Sequence, residues 1–144
     1  MRAMRIDKMT LAALEATLRH YQREEATTHI PIWQMIAATP ASLAARATKW
    51  ASQLQKQGSI ARTQRGESTV GGGSLPGETL PTTLLALEAN HVSLPLDELA
   101  RRLRTRTIPI VARIQRDTLL LDPRTVLKEQ DREVVAGLIE EIRK

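Results

Sequence analysis

Along residues 40–142 the hydrophobic spacing switches repeatedly between the helical and the extended period. That alternation restricts the fold more than any single motif does. Thr39-Pro40 reads as a helix start, with Thr39 as N-cap and Pro40 in the first turn. Leu43, Ala47, Trp50 and Leu54 then mark one face, and Gly58 offers a stop. Residues 59–65 alternate weakly and predict a strand, and residues 82–88 predict a second. Pro95 opens another helix, with Leu96, Leu99, Ala100 and Leu103 inward. Residues 108–115 and 118–121 predict two strands around a hairpin turn at Arg116-Asp117. Residues 126–142 close the chain as an amphipathic helix, with Val134, Val135, Leu138 and Ile142 on its apolar side. This order predicts an α+β fold, a mostly antiparallel sheet of about four strands with helices on one face.

The first 38 residues read differently. Leu11, Leu14, Leu18 and Tyr21 recur three and four apart, the mark of one buried helical stripe capped by Thr10 or Asp7. The polar residues 22–28 end it. Pro31 restrains Ile30, so residues 29–32 are expected to be largely non-helical before a short turn of helix near Trp33. The expected organisation is a helical arm at 1–38, which needs something else to pack on, and a small domain at 39–144. With no Phe, one Tyr and two Trp, leucine and alanine must fill the core.

Charge and composition narrow the chemistry. The net charge of +5 suits work near polyanions, but the basic residues are dispersed and stacking aromatics are scarce. The absence of cysteine removes disulfides, thiolate nucleophiles and zinc–cysteine sites. His20, His29 and His91 follow no ligand spacing, so no metal site is expected. No apolar run is long enough for a membrane span, and the first residues lack a signal-peptide core. A cytoplasmic protein is expected.

Several features tempt a functional reading. Gly72-Gly73-Ser74-Leu75-Pro76-Gly77-Glu78-Thr79 resembles a phosphate-binding loop in outline. Glu78 stands where that motif needs lysine, so a tight structural turn is the simpler reading. Arg101, Arg102, Arg104 and Arg106 crowd one helix end, as a solvated basic face or an RNA-backbone contact. The adjacent pairs Glu24-Glu25 and Glu140-Glu141 should splay apart on helices. Arg2 and Arg5, three apart and followed by Lys8, can turn two guanidiniums toward one anion.

Four stretches carry a resemblance to a known family. Residues 2–18, RAMRIDKMTLAALEATL, resemble the R-A-x-R-x-D-K run leading into T-L-A-A-L-E-A-T-L of bacterial selenocysteine synthases, the L-seryl-tRNA(Sec) selenium transferases. Ile30-Pro31-Ile32-Trp33-Gln34-Met35-Ile36, the loop from Val70 to Thr82 with Gly71-Gly72-Gly73-Ser74-Leu75-Pro76, and the segment ending Arg124-Thr125-Val126 resemble further family stretches, in the same order. The resemblance implies the C-terminal portion of a fold-type-I pyridoxal phosphate enzyme. In the complete enzyme the cofactor would eliminate the hydroxyl of serine carried on tRNA(Sec), and selenophosphate would donate selenium.

The same resemblance implies what this chain does not contain. Lys8, Lys49, Lys56, Lys128 and Lys144 do not resemble the family's cofactor lysine, which lies upstream of the R-A-x-R stretch. The chain is therefore expected to hold no catalytic residue or pyridoxal phosphate of its own and to be inactive alone. Its expected partners are a missing large domain, tRNA(Sec) and further copies in a homo-oligomer. Arg2, Arg5 and Lys8 are the expected selenophosphate contacts. Two alternatives stand beside this reading: a related pyridoxal phosphate lyase acting on a phosphorylated amino sugar, and a stand-alone basic module binding RNA or a partner protein.

Overall fold

The computed structural model describes residues 6–70 and 77–143. The chain divides into two compact units, Met1–Ala37 and Ala38–Lys144.

In the first unit, α1 (Lys8–Gln22) starts at Asp7. The Asp7 carboxylate accepts from the Thr10 backbone N–H at 3.0 Å and from the Thr10 hydroxyl at 2.6 Å. Of the two caps the sequence offers, Asp7 is the one used. Glu24 then takes a left-handed conformation, φ 57°, and the Glu25 N–H bonds back to the His20 carbonyl at 2.9 Å. This closes the helix in the manner of a Schellman turn, with glutamate where glycine is usual. Two short helices follow, α2 (Ala26–His29) and α3 (Pro31–Ala37). The expected non-helical run 29–32 shrinks to Ile30, which is extended. Pro31 restrains the residue before it but suits a first helical turn. Trp33 Nε1 donates to the Tyr21 hydroxyl at 2.7 Å and holds α3 to α1. The stripe Leu11, Leu14, Leu18 and Tyr21 is not buried within this unit; each residue is 47–53% exposed.

The second unit opens with α4 (Pro40–Gln55), where the Thr39 hydroxyl caps the Ser42 N–H. Gly58 follows with φ +85° and ends the helical path. The strands β1 (Arg62–Thr69), β2 (Thr79–Glu88), β3 (Arg113–Gln115) and β4 (Thr118–Leu121) form one antiparallel sheet in the order β1-β2-β4-β3. Helix α5 (Leu96–Arg104) joins β2 to β3, and α6 (Asp131–Arg143) ends the described chain. The α+β fold is as expected, and the sheet is antiparallel throughout the described residues.

The pleat explains the layering. Leu85, Leu87, Leu119 and Leu121 alternate onto one face. There they pack with Trp50 and Leu54 of α4, Leu99 and Leu103 of α5, and Val134, Val135 and Leu138 of α6. Leu84, Ala86 and Leu120 form a smaller cluster of the opposite parity.

Several boundaries depart from expectation: β1 runs on to Thr69 and β2 already starts at Thr79. Strand β1 begins at Arg62, not residue 59, because the Ala61 carbonyl is held by Gln55 Nε2 at 2.7 Å. Of residues 108–115 only Arg113–Gln115 is strand. Pro109 has no donor for a ladder, and the Ile110 N–H is taken by the Leu103 carbonyl at 2.9 Å. The last helix starts at Asp131, after a 3-10 turn at Lys128–Gln130. Arg46 fixes that entry. Its guanidinium meets the Asp131 carboxylate at 2.5 Å, the Pro123 carbonyl at 2.6 Å and the Val126 carbonyl at 2.8 Å, while lying over the Trp50 ring. Among the described residues no helix is long and apolar enough to cross a membrane.

Candidate functional site

The sequence points to the start of α1 as an anion site. Arg2 and Arg5 lie outside the described residues, so only Asp7 and Lys8 can be placed. Asp7 is the helix cap, and the Thr10 hydroxyl bond, followed by the Thr10 N–H, holds its carboxyl below the usual carboxylate range. Lys8 occupies the first helical position, is exposed, and has no ion-pair partner among the described residues. A cation there opposes the helix dipole, so the position gains from a nearby anion.

The lysines bear on the cofactor. Lys8, Lys49, Lys56 and Lys128 are all exposed. An amine that carries a cofactor aldehyde is activated by desolvation or by a neighbouring cation in an enclosed site. None of these four has that enclosure, so the described residues do not fit pyridoxal phosphate attachment.

The base of the glycine loop is the most organised polar region. Residues 71–76 lie outside the described set, but both flanks are visible. The Val70 N–H meets the Glu78 carbonyl at 3.3 Å. Behind the flanks, Asp122 accepts from the Ser68 hydroxyl at 2.5 Å, the Thr82 hydroxyl at 2.8 Å and the Arg124 N–H at 2.9 Å. Arg124 is buried, with 5% exposure. Its guanidinium donates to the Ser68 hydroxyl at 3.1 Å, the Ala38 carbonyl at 3.0 Å and the Pro81 carbonyl at 2.8 Å. Strand β4 pairs only as far as Leu85 on β2, and beyond that point Arg124 donates to the Pro81 carbonyl. Two stretches picked out separately in the sequence thus meet: Pro81 and Thr82 at the end of one, and Arg124 in the other. The polar atoms of this cluster satisfy one another, which suits holding β1 and β2 together and not acid–base work.

The arginine-rich end of α5 is largely neutralised. Arg101 and Arg102 each bind Glu98 at 2.7 Å. Arg106 is paired with Glu140 at 2.7 Å, Glu141 at 2.9 Å and Glu133 at 3.4 Å. Glu140 and Glu141, expected to splay apart, converge on one Arg106 nitrogen because that guanidinium lies across α6. Only Arg104 of the four has no ion-pair partner among the described residues, which weakens the RNA-contact reading.

The histidines also depart from expectation. His20 and His29 stack with ring centroids 4.7 Å apart, and His20 Nδ1 lies 3.2 Å from Glu25 Oε2. The left-handed Glu24 turn brings them together. Glycine and asparagine, the usual signals for such a turn, are absent from it, so nothing in the sequence marked it.

Comparison with known proteins places this geometry. The fold is that of the corresponding part of D-glucosaminate-6-phosphate ammonia-lyase, with TM-score 0.59 and 23% identity over 99% of this chain and 34% of that one. The chain belongs to the L-seryl-tRNA selenium transferase family, whose pattern matches residues 1–127. The L-seryl-tRNA(Sec) selenium transferase of Solidesulfovibrio magneticus is 50% identical over 133 residues, covering 90% of this chain and 28% of the relative. That of Geobacter sulfurreducens is 42% identical over 146 residues, covering 97% and 31%. The chain thus spans under a third of the length of these curated relatives.

Proposed function

We propose that this chain is the C-terminal portion of an L-seryl-tRNA(Sec) selenium transferase. In that reading the whole protein works in the cytoplasm and converts seryl-tRNA(Sec) to selenocysteinyl-tRNA(Sec) with selenophosphate. The observation that carries the reading is the 50% identity to a selenium transferase across nine-tenths of the chain. Pyridoxal phosphate supplies the electron sink of the complete enzyme and is held by the remaining domain, in keeping with the exposed lysines here.

Within this division, residues 39–144 form the small domain, braced by Arg124 between β1 and β2. Residues 1–38 form the arm that joins the large domain. The exposed Leu11, Leu14, Leu18 and Tyr21 are the surface that the large domain or a neighbouring subunit covers in a homo-oligomer. Arg2, Arg5 and Lys8 at the head of α1 bind the anionic selenium donor.

Complementation tests the proposal. The part of the Solidesulfovibrio magneticus enzyme that this chain does not match is supplied in trans, with pyridoxal phosphate, selenophosphate and seryl-tRNA(Sec). Selenocysteinyl-tRNA(Sec) should form only when both pieces are present. The chain alone, treated with pyridoxal phosphate and borohydride, should carry no stoichiometric label on any lysine. Formation of the mixed complex without selenium transfer, or specific labelling of one lysine here, would refute it.

A further inference from the structure

The turn between α1 and α2 assembles three groups that the selenium chemistry leaves unused. One ligand-type atom from each of His20, Glu25 and His29 lies within 4.8 Å of those of the other two. The separation of His20 Nδ1 and Glu25 Oε2, 3.2 Å, is close to the roughly 3.3 Å expected between two ligands on one tetrahedral ion with bonds of about 2.0–2.1 Å. The His20 and His29 rings lie stacked, with centroids 4.7 Å apart and planes 10° from parallel, so an ion seated between their lone pairs would turn the rings out of the stack.

His29 is prepared by its neighbours. The Thr28 hydroxyl donates to the Glu25 carbonyl at 2.9 Å, so the single hydroxyl proton is committed. His29 Nδ1 lies 2.9 Å from that hydroxyl oxygen and 3.3 Å from the same carbonyl. A carbonyl only accepts, so Nδ1 carries the proton and Nε2 keeps its lone pair. A ring N–H held by a backbone carbonyl is the usual outer partner of a metal-bound histidine. The turn itself is held in a costly form, with left-handed Glu24 at φ 57°. The three residues are half-buried or exposed, leaving room for water to complete the coordination.

We infer that His20, Glu25 and His29 form a binding site for a divalent transition-metal ion of the zinc class. Two imidazoles and one carboxylate select zinc or nickel over magnesium or calcium, which prefer all-oxygen shells. The site lies wholly within the first unit and is independent of the selenium-transfer reading.

The test is calorimetric titration of zinc chloride into the complete 144-residue chain, with magnesium chloride as control and histidine ring resonances followed by NMR. One equivalent of zinc should bind and magnesium should not. The ring signals of His20 and His29 should move while those of His91 stay. His20→Gln and His29→Gln should each weaken zinc binding by at least about tenfold, with unchanged helical circular dichroism, and His91→Gln should have no effect. Absence of zinc binding at about a hundred micromolar, a range typical of a weak site, would overturn the assignment. So would binding that survives the double variant, or ring shifts confined to His91.

Discussion

The Arg106 guanidinium crosses α6 directly over Gly137. A Cβ at position 137 would stand 2.9 Å from Arg106 Nε and 2.5 Å from the Ile110 Cδ1 methyl. The crossing lets one arginine reach Glu133, Glu140 and Glu141 together. It also explains why a helix interior keeps a residue of poor helix propensity.

Gly137→Ala therefore sets two effects against each other. Helix propensity favours alanine by about 1 kcal/mol, and overpacking costs about 1–3 kcal/mol. Arg106 is pinned by three carboxylates and cannot withdraw cheaply, so the clash wins. Urea unfolding should show a net loss of about 1 kcal/mol. Ile110→Val, which removes the nearer methyl, should recover part of it in the double variant, a coupling larger than additivity allows.

Arg124→Ala should destabilise the small domain by about 3 kcal/mol or more, because several buried acceptors lose one donor together. Arg124→Lys should rescue little. A single ammonium cannot reach Ser68, Ala38 and Pro81, which the planar guanidinium serves at once. Denaturant midpoints of the two variants check this. A lysine variant as stable as the parent would contradict the geometry.

Much of the fold was legible because its signals are local. Thr39-Pro40 is a cap written in two adjacent residues, and Arg116-Asp117 takes the paired left-handed conformation, φ 49° and 53°, that a two-residue hairpin needs. What escaped is long-range. Arg46 with Asp131, and Arg124 with Ser68, are partners only once the sheet exists, and an isolated arginine carries no mark of burial. Residues 108–112 kept an extended hydrophobic pattern yet left the sheet, since Pro109 and the bond to Leu103 outweigh it. Of the candidate site, the chemistry at Arg2 and Arg5 was read from spacing and resemblance, whereas the gathering of His20 with His29 needed the unmarked turn at Glu24.

The pair made by Glu98 with Arg101 and Arg102 fixes a pH response. Hydrogen bonds from Arg101 and then Arg102 lower the Glu98 carboxyl to about 2. A folded-state value below the unfolded one means that the contribution is present above the ordinary glutamate range. It is lost as pH falls from there toward 2. Carboxyl-carbon NMR of the folded chain should place the Glu98 midpoint near 2. Arg101→Gln with Arg102→Gln should return it toward the ordinary range. Glu98 and Arg102 are about a third exposed and Arg101 more so, so solvent and salt screen the group and the effect on overall stability is expected to be slight.

The apolar stripe of α1 gives a prediction about association. Leu14 and Leu18 are 48% and 52% exposed. Leu14→Gln with Leu18→Gln should lower self-association of the chain in sedimentation velocity and leave its denaturant midpoint within about 0.5 kcal/mol of the parent. Unaltered association would show that another surface drives it.

In a complete enzyme, Arg2→Ala or Arg5→Ala should slow selenium transfer ten- to a hundredfold, since a lost charged hydrogen bond costs about 1.5–3 kcal/mol. Binding of seryl-tRNA(Sec) should change far less. Single-turnover measurements with varied selenophosphate separate the two steps. Equal effects on both would return these arginines to a general structural role.

The strand order also dictates how the small domain assembles in time. β1 with β2, and β3 with β4, are hairpins between sequence neighbours, each able to zip from its own turn. The seam between β2 and β4 pairs Leu85 with Leu121 and must enclose all of α5 in a closed loop. Of the three strand pairings this seam closes the longest loop and so carries the largest closure entropy, with α5 held inside it.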